Sequence, residues 1–329
     1  MADHQAVEGE VYVYTGGRAP DHITHAIIDK SVNEIDDRAF YKNTNLRSVK
    51  THDGLGRIGC SAFLGCTSLT DMDLRSVKIL EEMALEMTGL TEVDCDKLEI
   101  LGRFAFSCCQ FLTRISLPRA KIIGIFSLSA TALTEVELPE AEQIQPNAFR
   151  DSSSLRRIAI PLKADLFDRE PDPDDSDIED EEEMEASVFI GCDSLVQVDL
   201  VGGIHDTISS LHHRRWKIDM NNEIKHINLV LPSISSDETT AMIKWWLASV
   251  SRKIEHYKRE HNRRLKEAAT ILALACWKVN LLDDETEEIS LETKAKKVKI
   301  DVTSARKMAH VTCGADIIVK NVMPFLQLE

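Results

Sequence analysis

The residues of this chain best equipped for chemistry are eight cysteines: Cys60, Cys66, Cys95, Cys108, Cys109, Cys192, Cys276 and Cys313. A thiolate can hold zinc, attack a substrate or close a disulfide. No Cys-x-x-Cys pair occurs, although closely spaced pairs are how thiolate zinc sites are built. Cys66, Cys109 and Cys192 share a recurring position with Asn43, Thr88, Thr131 and Ser152, and that interchange would strip a metal of its ligands. The expectation is small, reduced, buried fillers. His256 and His261 lie five residues apart, a poor spacing for one helical face. The chain has no Gly-x-Ser-x-Gly, no phosphate-binding loop, no His-Glu-x-x-His and no calcium loop. No catalytic residue, metal ligand or cofactor is expected, and the protein reads as a non-enzyme. One modification site stands out. Ser176, followed by Asp177 and Glu179, has the acidic context favoured by casein-type kinases, and a phosphate there would add to a large local charge.

What positions these residues is a repeat. An Ala-Phe-like pair recurs at Ala39-Phe40, Ala62-Phe63, Ala84-Leu85, Ala105-Phe106, Ser127-Leu128, Ala148-Phe149 and Val188-Phe189. A leucine-led run follows each one, as in Leu69-x-x-Met72-x-Leu74 and Leu112-x-x-Ile115-x-Leu117-Pro118. The leading leucines are spaced by 23, 21, 22, 21 and 22 residues from Leu46 to Leu155, so the coil is slightly irregular. A period in this range marks a leucine-rich solenoid, because one unit is too short to bury its own apolar residues. Alternation within Asp71-Met72-Asp73-Leu74 is the signal of a half-buried strand. Each unit should supply one strand, stacked in parallel on its neighbours. The Phe should fill the core, and the polar or thiol residue three positions later should satisfy backbone groups in the turn.

The pattern resembles the BspA-like, or treponemal-type, leucine-rich repeat. Ala62-Phe63-Leu-Gly-Cys66-Thr-Ser-Leu69 and Val188-Phe189-Ile-Gly-Cys192-Asp-Ser-Leu195 carry the likeness most closely. Tyr14-Thr15-Gly16-Gly17, the stretch Ile28 to Val32, Trp245-Trp246 and Cys313-Gly314-Ala315-Asp316 are similar to uncharacterised diatom members. The resemblance implies a right-handed coil with parallel strands and a protein-binding surface, and it brings no catalytic residue. Many bacterial members look like surface adhesins.

The expected architecture is an α/β solenoid followed by a helical C-terminal region. Residues 1–22 form an extension and residues 23–201 the solenoid. The stretch 202–235 is a transition and 236–329 the helical region. An insertion at 162–186 interrupts the repeat. Its segment 165–185 holds 13 acids against Arg169 alone, a net −12 of the chain's −16. Dense like charge with two prolines predicts a disordered surface loop. Residues Ile243, Trp246, Val250 and Ile254 open an amphipathic helix over about 237–280. Its segment 252–266 has seven Lys/Arg against two Glu. Asp283 to Lys299 reads as a charged linker, and Ser304 to Cys313 as a further helix. A helical end would cover the exposed edge of the last repeat.

The opening residues show no basic stretch before an apolar one, no run approaches the roughly 18 apolar residues that span a bilayer, and no Asn-x-Ser/Thr sequon occurs. These features point to an intracellular, cytoplasmic or nuclear protein. The acidic balance argues against nucleic acid as a partner. That leaves a surface. Outward positions of successive strands read Asp71/Asp73, Glu92/Asp94, Arg114, Glu135/Glu137 and Arg157, a candidate partner-binding ladder without aromatic anchors. The first expectation is therefore a protein-interaction scaffold. A chaperone-like binder of basic proteins and a surface adhesin are the alternatives, the adhesin alone predicting disulfides.

Overall fold

The computed structural model describes residues 11–168, 187–201 and 214–291, with side chains of the last helix as far as 274. The chain divides into two compact units, residues 1–207 with 220–252 and residues 208–219 with 253–329.

Among the described residues of the first unit the chain winds through fifteen short strands. They are β1 (Val11–Tyr14), β2 (His25–Ile28), β3 (Glu34–Ile35), β4 (Ser48–Lys50), β5 (Arg57–Ile58), β6 (Asp71–Met72), β7 (Ile79–Leu80), β8 (Glu92–Asp94), β9 (Ile100–Leu101), β10 (Arg114–Ser116), β11 (Ile122–Ile123), β12 (Glu135–Glu137), β13 (Gln143–Ile144), β14 (Arg157–Pro161) and β15 (Gln197–Val201). All pair in parallel, in two ladders. The first contains β1-β2-β4-β6, β8-β10 and β12-β14-β15, leucine-led from β4 onward. The second is a single six-stranded sheet, β3-β5-β7-β9-β11-β13. The short apolar run that closes each unit is thus a strand in its own right. Hydrogen bonding in the first ladder lapses between β6 and β8 and between β10 and β12. Both breaks fall at the two 21-residue spacings, where the turn is one residue shorter than 22.

Period-2 burial holds in every leucine-led turn but that of β14, where Ala159 is buried between Ile158 and Ile160. Val49, Met72, Val93, Ile115, Val136, Ile158 and Val198 are buried, while their polar neighbours mostly face out. Phe40, Phe63, Phe106, Phe149 and Phe189 are fully buried at one position of the coil. Phe40 stacks on Phe63 with ring centroids 4.8 Å apart, and Phe149 on Phe189 at 5.7 Å. Leu85 and Leu128 fill the same position in the shorter turns.

The corner around each Phe rests on a backbone feature that residue types did not announce. Two left-handed residues, four apart, bracket it: Arg38 and Lys42, Ser61 and Gly65, Met83 and Met87, Phe104 and Cys108, Phe126 and Ala130, Asn147 and Asp151. Only Gly65 among these is free of the Cβ penalty that makes this region costly. Stacking compensates, because each of these amides except Phe126's donates to a carbonyl of the next turn, as Met87 N does to Ser107 O at 2.9 Å.

Three boundaries differ from the sequence reading. Val11–Tyr14, assigned to an extension, pairs with β2 over all four residues, since alternating Val and Tyr suit a pleated surface without any repeat signature. The inserted segment begins later than 162. Leu166 and Phe167 are buried, Phe167 packs edge-on against Phe189 at 6.1 Å, and Leu166 O accepts from Ile144 N at 2.8 Å. Two apolar residues beside an acidic run are enough to complete one more turn, so the disorder expected from 162 does not apply to 162–168. Residues 169–186, Ser176 among them, lie outside the described residues. The transition contains a helix, α1 (Arg214–Val230), and a 3-10 turn at Leu231–Ser233. Its buried residues number only Met220 and Ile227, too sparse a stripe to register as periodicity.

The long helix α2 runs Ser236–Leu291, so Asp283–Leu291 is helical rather than linker. Ile243, Trp246, Val250 and Ile254 are buried as the spacing predicts. The expected helix at Ser304–Cys313 lies outside the described residues. In the second unit, Trp216 stacks on Tyr257 at 5.1 Å and Arg264 lies 5.3 Å over the Trp216 ring. The Tyr257 hydroxyl donates to Asp219.

Within the first unit the helical segments close the last turn. Val198 N, on the free edge of β15, donates to Asn228 Oδ1 at 2.8 Å. Val188 N donates to Thr240 Oγ1 at 2.8 Å, and Trp246 Nε1 donates to Glu223 O at 3.0 Å. Side chains thus satisfy edge amides where no further repeat follows.

Candidate functional site

The thiols resolve first. Cys66, Cys109 and Cys192 are buried in the predicted column, each donating to the carbonyl of the aromatic or leucine position one turn back. Cys66 Sγ reaches Phe40 O at 3.0 Å, Cys109 Sγ reaches Leu85 O at 3.2 Å and Cys192 Sγ reaches Phe149 O at 3.0 Å. Ser152 Oγ makes the same bond to Leu128 O at 2.9 Å. Burial pushes the Cys66 and Cys192 thiols up to about 12 and Cys109 up to about 11, and it raises Cys95 further still. Such thiols are poor nucleophiles. All six described cysteines are free, and no group of three metal-binding side chains is found among the described residues.

The predicted ladder is on the first sheet, and its register is Ser48 beside Asp71, Arg114 beside Glu92, and Glu135 beside Arg157. Its charges serve one another. Arg114 bridges Glu92 at 3.4 Å and Asp94 at 3.0 Å. Arg157 contacts Glu135 at 3.5 Å, Glu137 at 2.7 Å and Asp199 at 2.6 Å. Asp73 pairs with Arg75 at 2.6 Å, whose hydrogen bond holds that carboxyl below its usual range. Asp71 is exposed. Asp199, on β15, extends the ladder, and its bond to Arg157 joins positions 42 apart in sequence. Only closing the coil across the inserted segment brings the two together.

A shallow cleft of about 380 Å³, polar and apolar in about equal part, opens where β10 and β12 are unpaired, lined by Arg114, Ser116, Glu135 and Glu137 together with Leu117 and Pro118. A second, of about 300 Å³, includes His52, Asp73, Arg75, Asp96 and Lys97. The arrangement can recognise charge, and neither cleft collects groups for acid–base or nucleophilic work.

The basic segment of α2 is also internally paired. Arg263 contacts Glu260 at 2.6 Å and Glu267 at 2.5 Å, and Arg264 contacts Glu260 at 3.0 Å. Those two guanidiniums hold the Glu260 carboxyl down at about 2. No helix among the described residues is long and apolar enough to cross a membrane.

Two parallel ladders wound from repeats of this length, with a leucine-led strand in each turn, define a leucine-rich-repeat solenoid. Residues 33–156 match the model of the BspA type leucine rich repeat region in six copies. Solved structures similar to this chain include a leucine-rich repeat protein from Bacteroides ovatus, 18% identical over 58% of this chain and 69% of that one, with a TM-score of 0.32. The T. pallidum leucine rich repeat protein is 20% identical, covers 57% of this chain and 83% of that one, and gives a TM-score of 0.36. A leucine rich cell surface protein from Faecalibacterium prausnitzii is 18% identical over 56% and 80%, with a TM-score of 0.22. No curated protein matches the chain.

Proposed function

We propose that this protein is a non-enzymatic, intracellular scaffold that binds other proteins through the surface of its repeat solenoid. One observation carries the reading: the coil holds a row of outward side chains on turns stacked in parallel over a buried core. The fold is commonly used for binding proteins, and rigidity lowers the entropic cost of association. The arginines of the ladder are already engaged, so a partner using it must compete for them or address Asp71 and the outer rims. The test is affinity purification from lysate of the source cells with quantitative mass spectrometry. Wild type is compared with a variant in which Asp71, Asp73, Glu92 and Asp94 are made amides and with the corner variant described below. The reading predicts a stoichiometric partner for the wild type that at least one variant loses. Retention of no partner, or the same partner set for all three, overturns it.

A second reading, a chaperone-like binder of basic proteins, is favoured by the net −12 of residues 165–185, with phosphorylation of Ser176 as its regulator. It predicts that histone-like basic proteins are retained at low salt and released as salt rises. A surface adhesin is the third reading; it alone calls for disulfides, and a thiol titration of protein from its native cells separates it from the other two. The likeness of the chain's ends to diatom proteins belongs to this proposal as well.

A further inference from the structure

The corners of the coil carry a surface that the strand ladder does not. In each turn a residue facing outward from the second ladder is followed, at four-residue steps, by the two left-handed corner residues. In the first two turns these read Glu34, Arg38, Lys42 and Arg57, Ser61, Gly65. In the sixth turn they read Gln143, Asn147, Asp151. Every one is polar or glycine. The three turns between read Ile79, Met83, Met87, then Ile100, Phe104, Cys108, then Ile122, Phe126, Ala130. Every one is apolar or a thiol.

The change is not scattered. Ile79, Ile100 and Ile122 are direct partners in the second sheet. Phe104 and Phe126 stack with ring centroids 4.9 Å apart and planes within 4°. Met87 N donates to Ser107 O and Cys108 N to Ser129 O, which aligns the third row. Phe111, in the same corner, is 64% exposed where Asn45, Ser68 and Ser154 precede the leading leucine in the other full-length turns. Met87 is 47% exposed and Ile100 36%. Folding does not ask for these side chains, because the flanking turns close the same corner with Arg38, Ser61 and Asn147. Met83, Phe104 and Phe126 also hold φ of +54° to +55°, where a bulky residue is strained and where strain concentrates at working surfaces. An apolar area of this extent on a water-facing surface marks an interaction site.

We infer that the corner formed by Ile79–Met87, Ile100–Phe111 and Ile122–Ala130 is the docking surface for an amphipathic helix of a partner protein whose apolar stripe is bordered by lysine or arginine. This deepens, and rests on, the scaffold reading. Charge selects the occupant. Glu82 and Glu86 border the patch in the third turn, and among the described residues no salt bridge engages either. Burial, with the charge of Glu82 second, raises the Glu86 carboxyl above its ordinary range, so a cation brought there is favoured. Arg103 lies over the Phe104 ring at 5.2 Å, and Lys121 pairs with Glu99 at 3.4 Å. A second copy of the chain would lay Glu82 and Glu86 against like charge in a two-fold contact, between chains of net charge −16.

The test uses the full-length protein and a fluorescent Leu/Lys amphipathic peptide of about five helical turns, with a Leu/Glu counterpart of the same length. The corner variant borrows residues from the polar turns: Met87→Gly, Phe104→Asn, Phe126→Asn and Phe111→Ser. None alters charge, and glycine and asparagine suit the left-handed positions. Fluorescence anisotropy should show binding of the Leu/Lys peptide to wild type, weakened about 30-fold or more in the variant, the scale of losing an anchoring side chain. Glu82→Gln with Glu86→Gln should weaken it further at low salt, and the Leu/Glu peptide should not bind. Met87→Gly with Phe111→Ser, confined to the two most exposed sites, gives the same direction if the fourfold variant melts early. Equal affinity for wild type and variant, or no binding to either, overturns the assignment. So does a dimer in sedimentation equilibrium that the variant abolishes, which would make the occupant a second copy. The scaffold reading falls separately, on the partner purification.

Discussion

The thiol of Cys66 lies 3.0 Å from the carbonyl oxygen of Phe40, the residue whose ring stacks on Phe63 in the same turn as Cys66. One turn's polar column therefore satisfies the backbone that positions the previous turn's aromatic. Cys109 to Leu85, Ser152 to Leu128 and Cys192 to Phe149 repeat the relationship.

The column thiols should be inert in the folded protein. Near pH 8 a thiol raised to about 12 is ionised to about one part in 10⁴, so Cys66 and Cys192 should react with a disulfide reagent only as the protein unfolds. Stability should fall as pH rises above about 9. There the unfolded thiols have lost protons that the native ones keep, so the slope of unfolding free energy against pH is negative, about 1.4 kcal/mol per unit for each thiol. Below pH 9 both states hold the proton and the slope from these groups vanishes. Denaturant midpoints between pH 8 and 11 check the sign, and a midpoint that rises over that range would contradict the buried column.

Phe106 should be worth about 3–5 kcal/mol on truncation to alanine, as for other filled core aromatics, since it is fully buried in its turn. An unchanged melting temperature would break the register of the whole coil.

Phe167→Ala tests where the inserted segment begins. With 1% of its surface exposed and its ring against Phe189, Phe167 should cost a similar amount. A residue belonging to a loose acidic loop would cost nothing measurable by chemical denaturation.

Asn228→Ala and Thr240→Val each remove an acceptor from an edge amide, Val198 N and Val188 N. Each should cost about 1–3 kcal/mol, the penalty for an orphaned buried donor. Amide hydrogen exchange should quicken first around 188 and 198, well before the early turns. Uniform acceleration along the coil would mean that the helices do not close that end.

Arg157→Met leaves Glu135, Glu137 and Asp199 without their shared counter-charge. The arginine is 26% exposed, so the loss should stay near 1 kcal/mol and shrink as salt is added. A salt-independent loss of several kcal/mol would place the guanidinium in the core.

Local periodicity determined most of the frame. Alternation fixed which face of each leucine-led strand is buried. The recurrence of Phe and of Cys, Thr, Ser or Asn three residues later fixed both columns, because each of those roles is filled within one turn and copied in the next. The spacing 243, 246, 250, 254 fixed the buried face of α2 for the same reason. Other features depend on neighbours distant in sequence, and these only the folded chain decided. Val11–Tyr14 becomes a strand because β2 offers it an edge, and Leu166–Phe167 are ordered because Ile144 and Phe189 receive them. Asn147, fully buried, occupies a corner position whose equivalents Met83, Phe104 and Phe126 are only partly buried. The ladder's arginines were legible as residues, yet whether they stood free depended on acids up to 42 positions away. The apolar corner was present in the sequence as three unremarked triplets. It becomes one surface only when parallel stacking sets residues 79 to 130 side by side, since contact between turns is a property of register and not of any single repeat.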